Sequence, residues 1–247
     1  MTPPAGFEAH REARAEWWLR PAERAWMDEL LRAVAGSPGA GATALHGGRG
    51  GARLVSIGDH RVVIRPYRRG GLPGRVVRDL YLGWQPRPFR ELIEMEALRE
   101  RGAPVVEVCG AAVRWVFPGG YRGWLATRYV DHARTLWQWA SGTPAAAERA
   151  VVCAAAGRAV RRLHDCGGRH PDLNLNNILV AAVDGGWQVY LIDFDRPPRL
   201  PRAGAGAAAA ELARLRRSAR KLDPAGQIVT AADLDCLEAA YRAGGSA

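Results

Sequence analysis

The stretch His170-Pro171-Asp172-Leu173-Asn174-Leu175-Asn176-Asn177-Ile178-Leu179 carries the strongest signal in the chain. A second acidic segment follows at Leu191-Ile192-Asp193-Phe194-Asp195 and closes a hydrophobic run. An Asp and an Asn five residues apart on a loop, with another Asp at the end of a later strand, form the arrangement that phosphoryl transfer from ATP requires. One carboxylate accepts the proton of the acceptor hydroxyl, while an amide and another carboxylate hold Mg²⁺ against the triphosphate.

The two segments resemble the catalytic loop, His-x-Asp-x-x-x-x-Asn, and the metal site, Asp-Phe-Gly, of the protein kinase superfamily. The resemblance implies that Asp172 is the catalytic base, that Asn177 and Asp193 coordinate magnesium, and that His170 braces the loop. Asp195 stands where protein kinases have glycine, as in small-molecule and sugar kinases of the same superfamily. An Ala-Pro-Glu element does not follow, so a peptide-docking activation segment is not expected.

A kinase-like enzyme also needs a cation near the α and β phosphates, usually a lysine paired with a helix glutamate. The only lysine is Lys221, so the cation must be an arginine. Arg65 ends an apolar strand-like run, and Glu91 on the next predicted helix is its expected partner, with Glu94 as the rival. A guanidinium can hold phosphate or carboxylate oxygens with two donors. The alternative is a surface arginine beside a solvated glutamate.

A glycine-dense stretch precedes this strand. Its glycines, Gly48 and Gly50 among them, would let backbone N–H groups approach the phosphates of a nucleotide. They do not form a clean G-x-G-x-x-G, and simple loop flexibility explains them equally well.

Periodicity and turn residues predict a β-rich first half and an α-rich second half, hence two lobes with a cleft between them. The predicted helices span about 8–34 with a break near Pro21, 88–101, 145–164, 207–222 and 231–241. The predicted strands span 53–57, 61–64 after a turn at Gly58-Asp59, 105–115, 123–130 and 187–192. We assign residues 1–40 to an N-terminal helical extension, 41–130 to a nucleotide-binding N-lobe and 131–247 to a C-lobe for catalysis and acceptor binding.

The amino-acid composition restricts the class of protein and the kinds of partner that are expected. The chain has 247 residues with a hydrophobic share of 48%, as in a folded globular protein, and a net charge of +10, which attracts polyanions. Four cysteines without C-x-x-C spacing suggest reduced, packed thiols rather than a zinc site or disulfides. Since no apolar run approaches the ~20 residues of a membrane span, we expect a cytoplasmic protein with at most peripheral membrane contact.

The full pattern resembles the Kdo kinases of lipopolysaccharide core synthesis, within the lipopolysaccharide kinase family that also holds the heptose kinases (Kdo is 3-deoxy-D-manno-octulosonic acid). The likeness spans about Ala44 to Leu222 and is carried by Tyr67-Arg68-Arg69-Gly70-Gly71, Arg78-Asp79-x-Tyr81-Leu82, Arg87-Pro88-Phe89-Arg90-Glu91, Arg101-Gly102-x-Pro104-Val105, His170 to Leu179, Ile192-Asp193-Phe194-Asp195-Arg196 and Arg216-Arg217-Ser218-x-Arg220-Lys221-Leu222.

The resemblance implies an α+β, protein-kinase-like bilobal fold, with an antiparallel sheet plus one helix in the N-terminal lobe and a mainly helical C-terminal lobe. It also implies ATP and Mg²⁺ as cofactors and transfer of the γ-phosphate to the 4-hydroxyl of a Kdo residue on a lipid A precursor. The location it implies is peripheral, on the cytoplasmic face of the bacterial inner membrane.

Charge agrees with this acceptor, because Kdo carries a carboxylate and lipid A precursors carry phosphates. Three arginine clusters offer anion contacts, and a basic segment near an anionic leaflet gains about 1 kcal/mol per residue. The clusters are Arg68-Arg69, Arg87-Arg90 and Arg214-Arg216-Arg217-Arg220.

Four other functions stay open. An aminoglycoside- or choline-type phosphotransferase shares the catalytic loop, but its cationic acceptors call for an acidic pocket. The others are an atypical protein kinase, a pseudokinase scaffold and a nucleic-acid-binding protein. The basic charge and nine tryptophans would suit nucleic acid, but no known nucleic-acid-binding motif is present, so we expect no such partner.

Overall fold

The computed structural model describes residues 1–26, 42–44, 51–57, 60–68, 79–194 and 205–244. The polypeptide forms two compact units. The first comprises Met1–Glu96 and Glu107–Tyr129, and the second comprises Ala97–Val106 and Val130–Ala247.

An antiparallel sheet, with eight strands in the described residues, forms the first unit. The strands lie in the order β1-β2-β7-β8-β5-β4-β3, and β6 also pairs with β8. Their bounds are β1 Glu8–Glu12, β2 Ala15–Leu19, β3 Ala42–Ala44, β4 Arg53–Ile57, β5 His60–Pro66, β6 Tyr81–Leu82, β7 Val108–Phe117 and β8 Gly120–Arg128. The strands predicted at 53–57 and 61–64 are therefore present, and the predicted Gly58-Asp59 turn lies outside the described residues.

The helix predicted from residue 8 is wrong over residues 8–19, and so is their assignment to a helical extension. These residues form the β1–β2 hairpin, which joins the sheet through β2 and β7, and a 3-10 helix follows at Pro21–Trp26. The neighbours Trp17 and Trp18 are both buried, as consecutive residues of a strand covered on both faces must be. Tertiary packing thus overrides the apparent helical spacing. The remaining residues of the predicted helix, 27–34, lie outside the described residues.

The two faces of β2 explain this burial. On one face Trp17 packs in a cluster with Val55, Val62 and Ile64 from β4 and β5. On the other face the Trp18 ring stacks on Phe89, with ring centroids 4.1 Å apart.

Phe89 belongs to helix α1, Arg87–Glu100, which matches the helix predicted at 88–101. Its apolar positions Leu92, Met95 and Leu98 are buried, as their spacing along one face predicts. The helix ends at Glu100, and Gly102 just beyond it has a φ of +82°, the left-handed conformation that glycine adopts without steric cost.

The second unit is mainly helical. Its helices are α2 Leu136–Ala140, α3 Ala146–Asp165, α4 Ala205–Leu222 and α5 Ala231–Ala243. A three-stranded antiparallel sheet accompanies them, in the order β11-β10-β9, formed by β9 Arg134–Thr135, β10 Ile178–Val183 and β11 Gly186–Leu191. Helices α3 and α5 approach so closely that a Cβ on Gly157 would come within 2.1 Å of the carbonyl oxygen of Leu237.

The four cysteines are free thiols, as expected. Cys109 and Cys153 are buried, and burial raises the pKa of each thiol to about 12, so both stay protonated. Across the parts of the chain that the structure describes, no helix has the length and apolar character needed to cross a bilayer.

Candidate active site

The predicted base Asp172 and the predicted metal ligand Asn177 lie on the loop between α3 and β10. Hydrogen bonds inside the loop fix its shape: the Leu173 N–H donates to the His170 carbonyl at 3.2 Å and the Asn177 N–H to the Asn174 carbonyl at 3.0 Å. Leu173 and Leu175 anchor the loop in the core, whereas Asp172 is exposed. The loop therefore presents one carboxylate to solvent on a rigid support.

The side chains of Asn177 and Asn174 both serve the backbone of Asp172. The Asn177 amide Nδ2 donates to the Asp172 carbonyl at 2.9 Å, and the Asn174 Nδ2 donates to the same oxygen at 2.8 Å. Because the Asn177 nitrogen is used in this way, its Oδ1 is the atom that remains to meet a cation. The sequence pattern did not assign Asn174 a role, although an Asn side chain often bonds the backbone two residues further on, as Asn174 Oδ1 does when it accepts the Asn176 N–H at 2.9 Å.

The β10–β11 hairpin brings Asp193 to the same end as Asn177. Ile178 pairs with Leu191 in register, and the Ile192 N–H donates to the Asn177 carbonyl at 3.0 Å. Asp193 follows with a φ of +67°, so the chain leaves the extended conformation at this residue. Left-handed backbone in a non-glycine residue is uncommon, although Asp adopts it more readily than most residues.

His170 lies beneath the loop and is fully buried. Its Nε2 is 2.8 Å from the Ile192 carbonyl, and its ring lies 4.6 Å from the Phe194 ring, centroid to centroid. Burial holds the pKa of the imidazole below its usual value, so the ring is neutral at pH 7 and donates from Nε2. His170 thus connects the loop to the residues on both sides of Asp193, as the bracing role predicts.

Helix α4 supports the loop from outside, a contact that the sequence pattern missed. The buried Glu211 accepts the His170 N–H at 3.0 Å, and Arg214 donates to the Pro171 carbonyl. Glu211 also lies 3.0 Å from His164 Nε2. The two α4 residues are three positions apart and so share one helix face, which is a weak signal without the tertiary structure.

The arginines of α4 are therefore not all available to an anion. Arg214 is used on the catalytic loop, and Arg216 forms ion pairs with Asp235 at 2.7 Å and with Glu238. Arg217 and Arg220 are exposed. The predicted cluster of four thus divides into two side chains that stabilise the second unit and two that face solvent.

The chemistry of this end of the hairpin suits a small divalent cation. Asn177 and Asp193 offer amide and carboxylate oxygens, the hard ligands that Mg²⁺ prefers, and Mg²⁺ commonly takes one or two protein ligands plus phosphate oxygens. Within the described residues no cluster of three or more His, Cys, Asp or Glu side chains could hold a metal ion by itself. A cation here would therefore need phosphate oxygens as further ligands.

In the first unit, the predicted partners Arg65 and Glu91 are in contact. The Arg65 Nη2 lies 2.6 Å from Glu91 Oε1, and the Tyr67 hydroxyl donates to Glu91 Oε2. The Arg65 guanidinium also lies over the Tyr67 ring, 5.0 Å from its centroid. Tyr67 lies in the segment that carries the family likeness, but its role as a partner of Glu91 was not predicted.

Glu94, the rival for Glu91, has a different environment. Burial, with a smaller contribution from the neighbouring Glu91 carboxylate, raises the pKa of Glu94 to about 7. A carboxyl group that is half protonated at neutral pH is a poor permanent counterion for a guanidinium. The partner of Arg65 is Glu91, whose side chain is buried against two donors.

Three residues of the expected site, Gly48, Gly50 and Asp195, lie outside the described residues. Their roles in holding phosphate or metal therefore stay predictions.

Known proteins resemble this chain in sequence and in fold. The sequence matches the lipopolysaccharide kinase (Kdo/WaaP) family over residues 43–241. It is 40% identical over 155 residues to a 3-deoxy-D-manno-octulosonic acid kinase of Xanthomonas oryzae pv. oryzae (strain PXO99A), covering 61% of this chain and 58% of that protein. A kinase of the same name from Xanthomonas campestris pv. campestris (strain B100) is 39% identical over 182 residues, covering 71% and 68%. The chain thus spans between half and two thirds of the length of the Xanthomonas oryzae relative.

Two solved structures resemble the fold. One is WaaP in complex with acyl carrier protein, with a TM-score of 0.58, 16% identity and coverage of 91% of this chain and 87% of that one. The other is glucosamine kinase in complex with glucosamine, ADP and inorganic phosphate, with a TM-score of 0.52, 18% identity and coverage of 98% and 80%. The predicted α+β, protein-kinase-like fold class is confirmed. Taken with the match over 43–241, these likenesses lead to one conclusion: the chain belongs to the lipopolysaccharide kinase (Kdo/WaaP) family.

Proposed function

We propose that this chain is a Mg·ATP-dependent kinase that phosphorylates the 4-hydroxyl of a Kdo residue on a lipid A precursor in lipopolysaccharide core biosynthesis. The observation that carries the proposal is the loop in which Asn177 and Asn174 both hold the backbone of Asp172 while the Asp172 carboxylate faces solvent. Family membership supports the reaction class, and the name shared by the Xanthomonas relatives supports the acceptor.

In the proposed reaction the Asp172 carboxylate accepts the proton of the Kdo hydroxyl as the hydroxyl oxygen attacks the γ-phosphorus of ATP. A new oxygen–phosphorus bond forms, the bond from the γ-phosphorus to the β–γ bridging oxygen breaks, and ADP departs with that electron pair. Asn177 and Asp193 would hold Mg²⁺, which supplies positive charge to the phosphate oxygens. His170 and helix α4 keep the loop in place.

We assign nucleotide binding to residues 41–130 and catalysis with acceptor binding to residues 131–247. Arg65, whose guanidinium contacts Glu91 and lies over the Tyr67 ring, would contact the α and β phosphates. Gly48 and Gly50 would offer backbone N–H groups to the same phosphates. Asp195 would reach the metal directly or through water.

A lipid-borne acceptor would place the enzyme on a membrane surface. We place it peripherally on the cytoplasmic face of the inner membrane, where ATP and an anionic leaflet meet. The exposed Arg217 and Arg220 would add to the attraction, at about 1 kcal/mol for each basic residue near the leaflet.

The test is a comparison of acceptors. Purified protein is incubated with labelled ATP, Mg²⁺ and, separately, a Kdo-bearing lipid A precursor, an aminoglycoside, glucosamine and a protein mixture. We expect label in the Kdo-bearing acceptor alone, at the 4-position by NMR of the product. Phosphorylation of the aminoglycoside or glucosamine without the Kdo acceptor would overturn the assignment and favour a small-molecule kinase.

A further inference from the structure

The end of the β7–β8 hairpin, together with β6, carries four exposed large apolar side chains: Leu82, Trp84, Val116 and Phe117. We call this group the apolar tip. Trp84 is 73% exposed and Leu82 66% exposed, the largest values among the large apolar side chains of the described residues. Single exposed apolar residues are common, but several exposed apolar side chains at one end of a sheet, two of them aromatic, are a feature that marks interaction surfaces.

Strand pairing brings these residues together. Leu82 and Phe117 both pair with Gly120, one from each side, so their side chains lie on the same face of the sheet. The Phe117 ring covers Gly120 so closely that a Cβ there would lie 2.3 Å from the ring. The glycine therefore leaves the space that the exposed ring occupies.

Trp84 lies on the opposite face. Its ring is 6.2 Å from the Trp115 ring, centroid to centroid, and it covers Gly119. The register shift between Trp115 and Phe117 makes Val116 an extra residue in β7, so these two aromatic residues point to opposite faces instead of sharing one. The tip is thus a wedge with apolar groups on both sides.

The base of the wedge is basic. Arg114 and Arg122 pair directly across β7 and β8, which places two guanidinium-bearing residues side by side. Arg14 is exposed and donates to the Val116 carbonyl at 3.3 Å. Asp79 offsets part of this charge through an ion pair with Arg122 at 3.0 Å.

We propose that the apolar tip inserts into the headgroup region of an anionic phospholipid bilayer, with Arg14, Arg114 and Arg122 against the lipid phosphates. Tryptophan and phenylalanine beside arginine are the residues that favour this interface, where apolar surface is buried and guanidinium groups meet phosphate. The charge complementarity selects a lipid surface over an apolar protein surface. The inference rests on the proposed function in that a lipid-borne acceptor gives the enzyme a reason to dock.

The test measures binding of the whole chain to vesicles of phosphatidylethanolamine and phosphatidylglycerol in a roughly three-to-one ratio, by co-sedimentation without ATP. We expect the double variant Trp84→Ala/Phe117→Ser to lower the partition coefficient at least about tenfold. A matched control, Val151→Ser/Val183→Ser, removes two exposed apolar side chains from the second unit and should stay within about twofold of the parent. Equal vesicle binding by the tip variant and the parent would overturn the proposal.

Two further measurements separate this proposal from others. Sedimentation velocity checks for a second copy on the same surface: a parent dimer that Trp84→Ala dissociates would assign the tip to self-association and overturn membrane docking. Turnover is then compared on a vesicle-borne acceptor and on its deacylated, water-soluble form. We expect the tip variant to lose turnover only on vesicles. A parent protein inactive on both acceptors but bound to vesicles through the tip would sink the proposed function and leave the docking inference standing.

Discussion

Asp193, two residues after the end of β11, adopts a left-handed backbone conformation. For an aspartate this costs about 1 kcal/mol relative to an extended residue, since its short polar side chain tolerates the region better than most. The conformation turns the chain away from β11 immediately after Ile192 contacts Asn177. We interpret it as the local cost of a sharp turn at the carboxylate that the kinase resemblance assigns to the metal.

The first prediction concerns this carboxylate. Asp193→Asn keeps a side chain that tolerates positive φ, so the free energy of unfolding should change by less than about 1 kcal/mol. Loss of the charge should lower kcat/KM for Mg·ATP at least about a hundredfold, because the metal loses an anionic ligand. Rates measured over a magnesium titration check this. An unaltered magnesium dependence in the variant would refute the metal role.

Arg65 supports a second prediction. Its guanidinium contacts Glu91 and lies over the Tyr67 ring at the same time, which the compact ammonium of lysine cannot reproduce while also reaching a phosphate. Arg65→Lys should therefore raise KM for ATP by about tenfold. Arg53→Lys on the neighbouring strand is the control and should leave KM unchanged. The same KM in both variants would remove Arg65 from the nucleotide site.

Helix α1 shows what an element adds to its residues. Its core face and its functional glutamate were both predictable, because Leu92, Met95 and Leu98 repeat with helical spacing and Glu91 lies where the partner of Arg65 is expected. The environment of Glu94 was not predictable, since it depends on what packs over the helix.

The third prediction follows from the pKa of Glu94, which is raised from 4.5 to about 7. The folded protein holds this proton more tightly than the unfolded chain, so the contribution to stability is present below pH 4.5 and is lost as the pH rises through about 7. Glu94→Gln should therefore stabilise the protein at pH 8 by about 1–2 kcal/mol, allowing for partial exposure, and leave it nearly unchanged at pH 4.5. Urea unfolding at both pH values measures this, with the exposed Glu100→Gln as control. Parallel pH profiles for parent and variant would contradict the assignment.

Helix α4 leads to the fourth prediction. Glu211→Ala leaves the buried His170 N–H without its acceptor, so unfolding free energy should fall by about 2–4 kcal/mol and kcat should fall more than KM changes. Glu211→Gln keeps an acceptor oxygen and should recover at least half of both losses. Asp235→Ala is the control, because the Asp235 side chain pairs with Arg216 but is 68% exposed. It should lower the free energy of unfolding by about 0.5 kcal/mol or less. If alanine and glutamine at position 211 behave alike, the hydrogen bond does not hold the loop.

The β1–β2 hairpin could not be predicted from the sequence. Trp17, Trp18 and Leu19 fit a helical spacing as well as a strand buried on both faces, and only the partner strand decides between them. The residue that accommodates β2 is distant in sequence. A Cβ on Gly110 of β7 would lie 2.3 Å from a methyl carbon of Leu19, so a glycine is needed where β2 packs on β7. Such a pairing over about ninety residues of sequence cannot be inferred from local periodicity.

The site residues that belong to short motifs could be predicted from the sequence. The residues that hold them in position could not. Asp172, Asn177 and Asp193 belong to two short motifs, and the β10–β11 hairpin that joins them is local. Glu211 and Arg214 reach the loop from about forty residues away, and Tyr67 reaches Glu91 across the first unit. These contacts depend on tertiary packing, which a single sequence does not display.

The structure also shows which arginines contribute to the net charge of +10 as accessible charges. Some arginines are committed to buried acids, as Arg149 is to Asp233 and Arg128 is to Glu23 at 2.5 Å. The attraction for anions therefore comes from the remaining arginines, including exposed ones such as Arg14, Arg217 and Arg220. Overall charge predicted an anionic partner, but only the structure separates arginines that stabilise the fold from those that can meet the partner.

In the proposed reaction Asp172 takes the proton from the sugar hydroxyl during phosphoryl transfer. The most direct measurement is the turnover of labelled ATP onto a Kdo-bearing acceptor by the parent and by Asp172→Asn, beside the Kd of each for Mg·ATP. Because Asp172 is exposed and its backbone makes the loop contacts, we expect kcat to fall about 10²- to 10⁴-fold while Kd changes less than about threefold. Turnover by Asp172→Asn close to that of the parent would contradict the account.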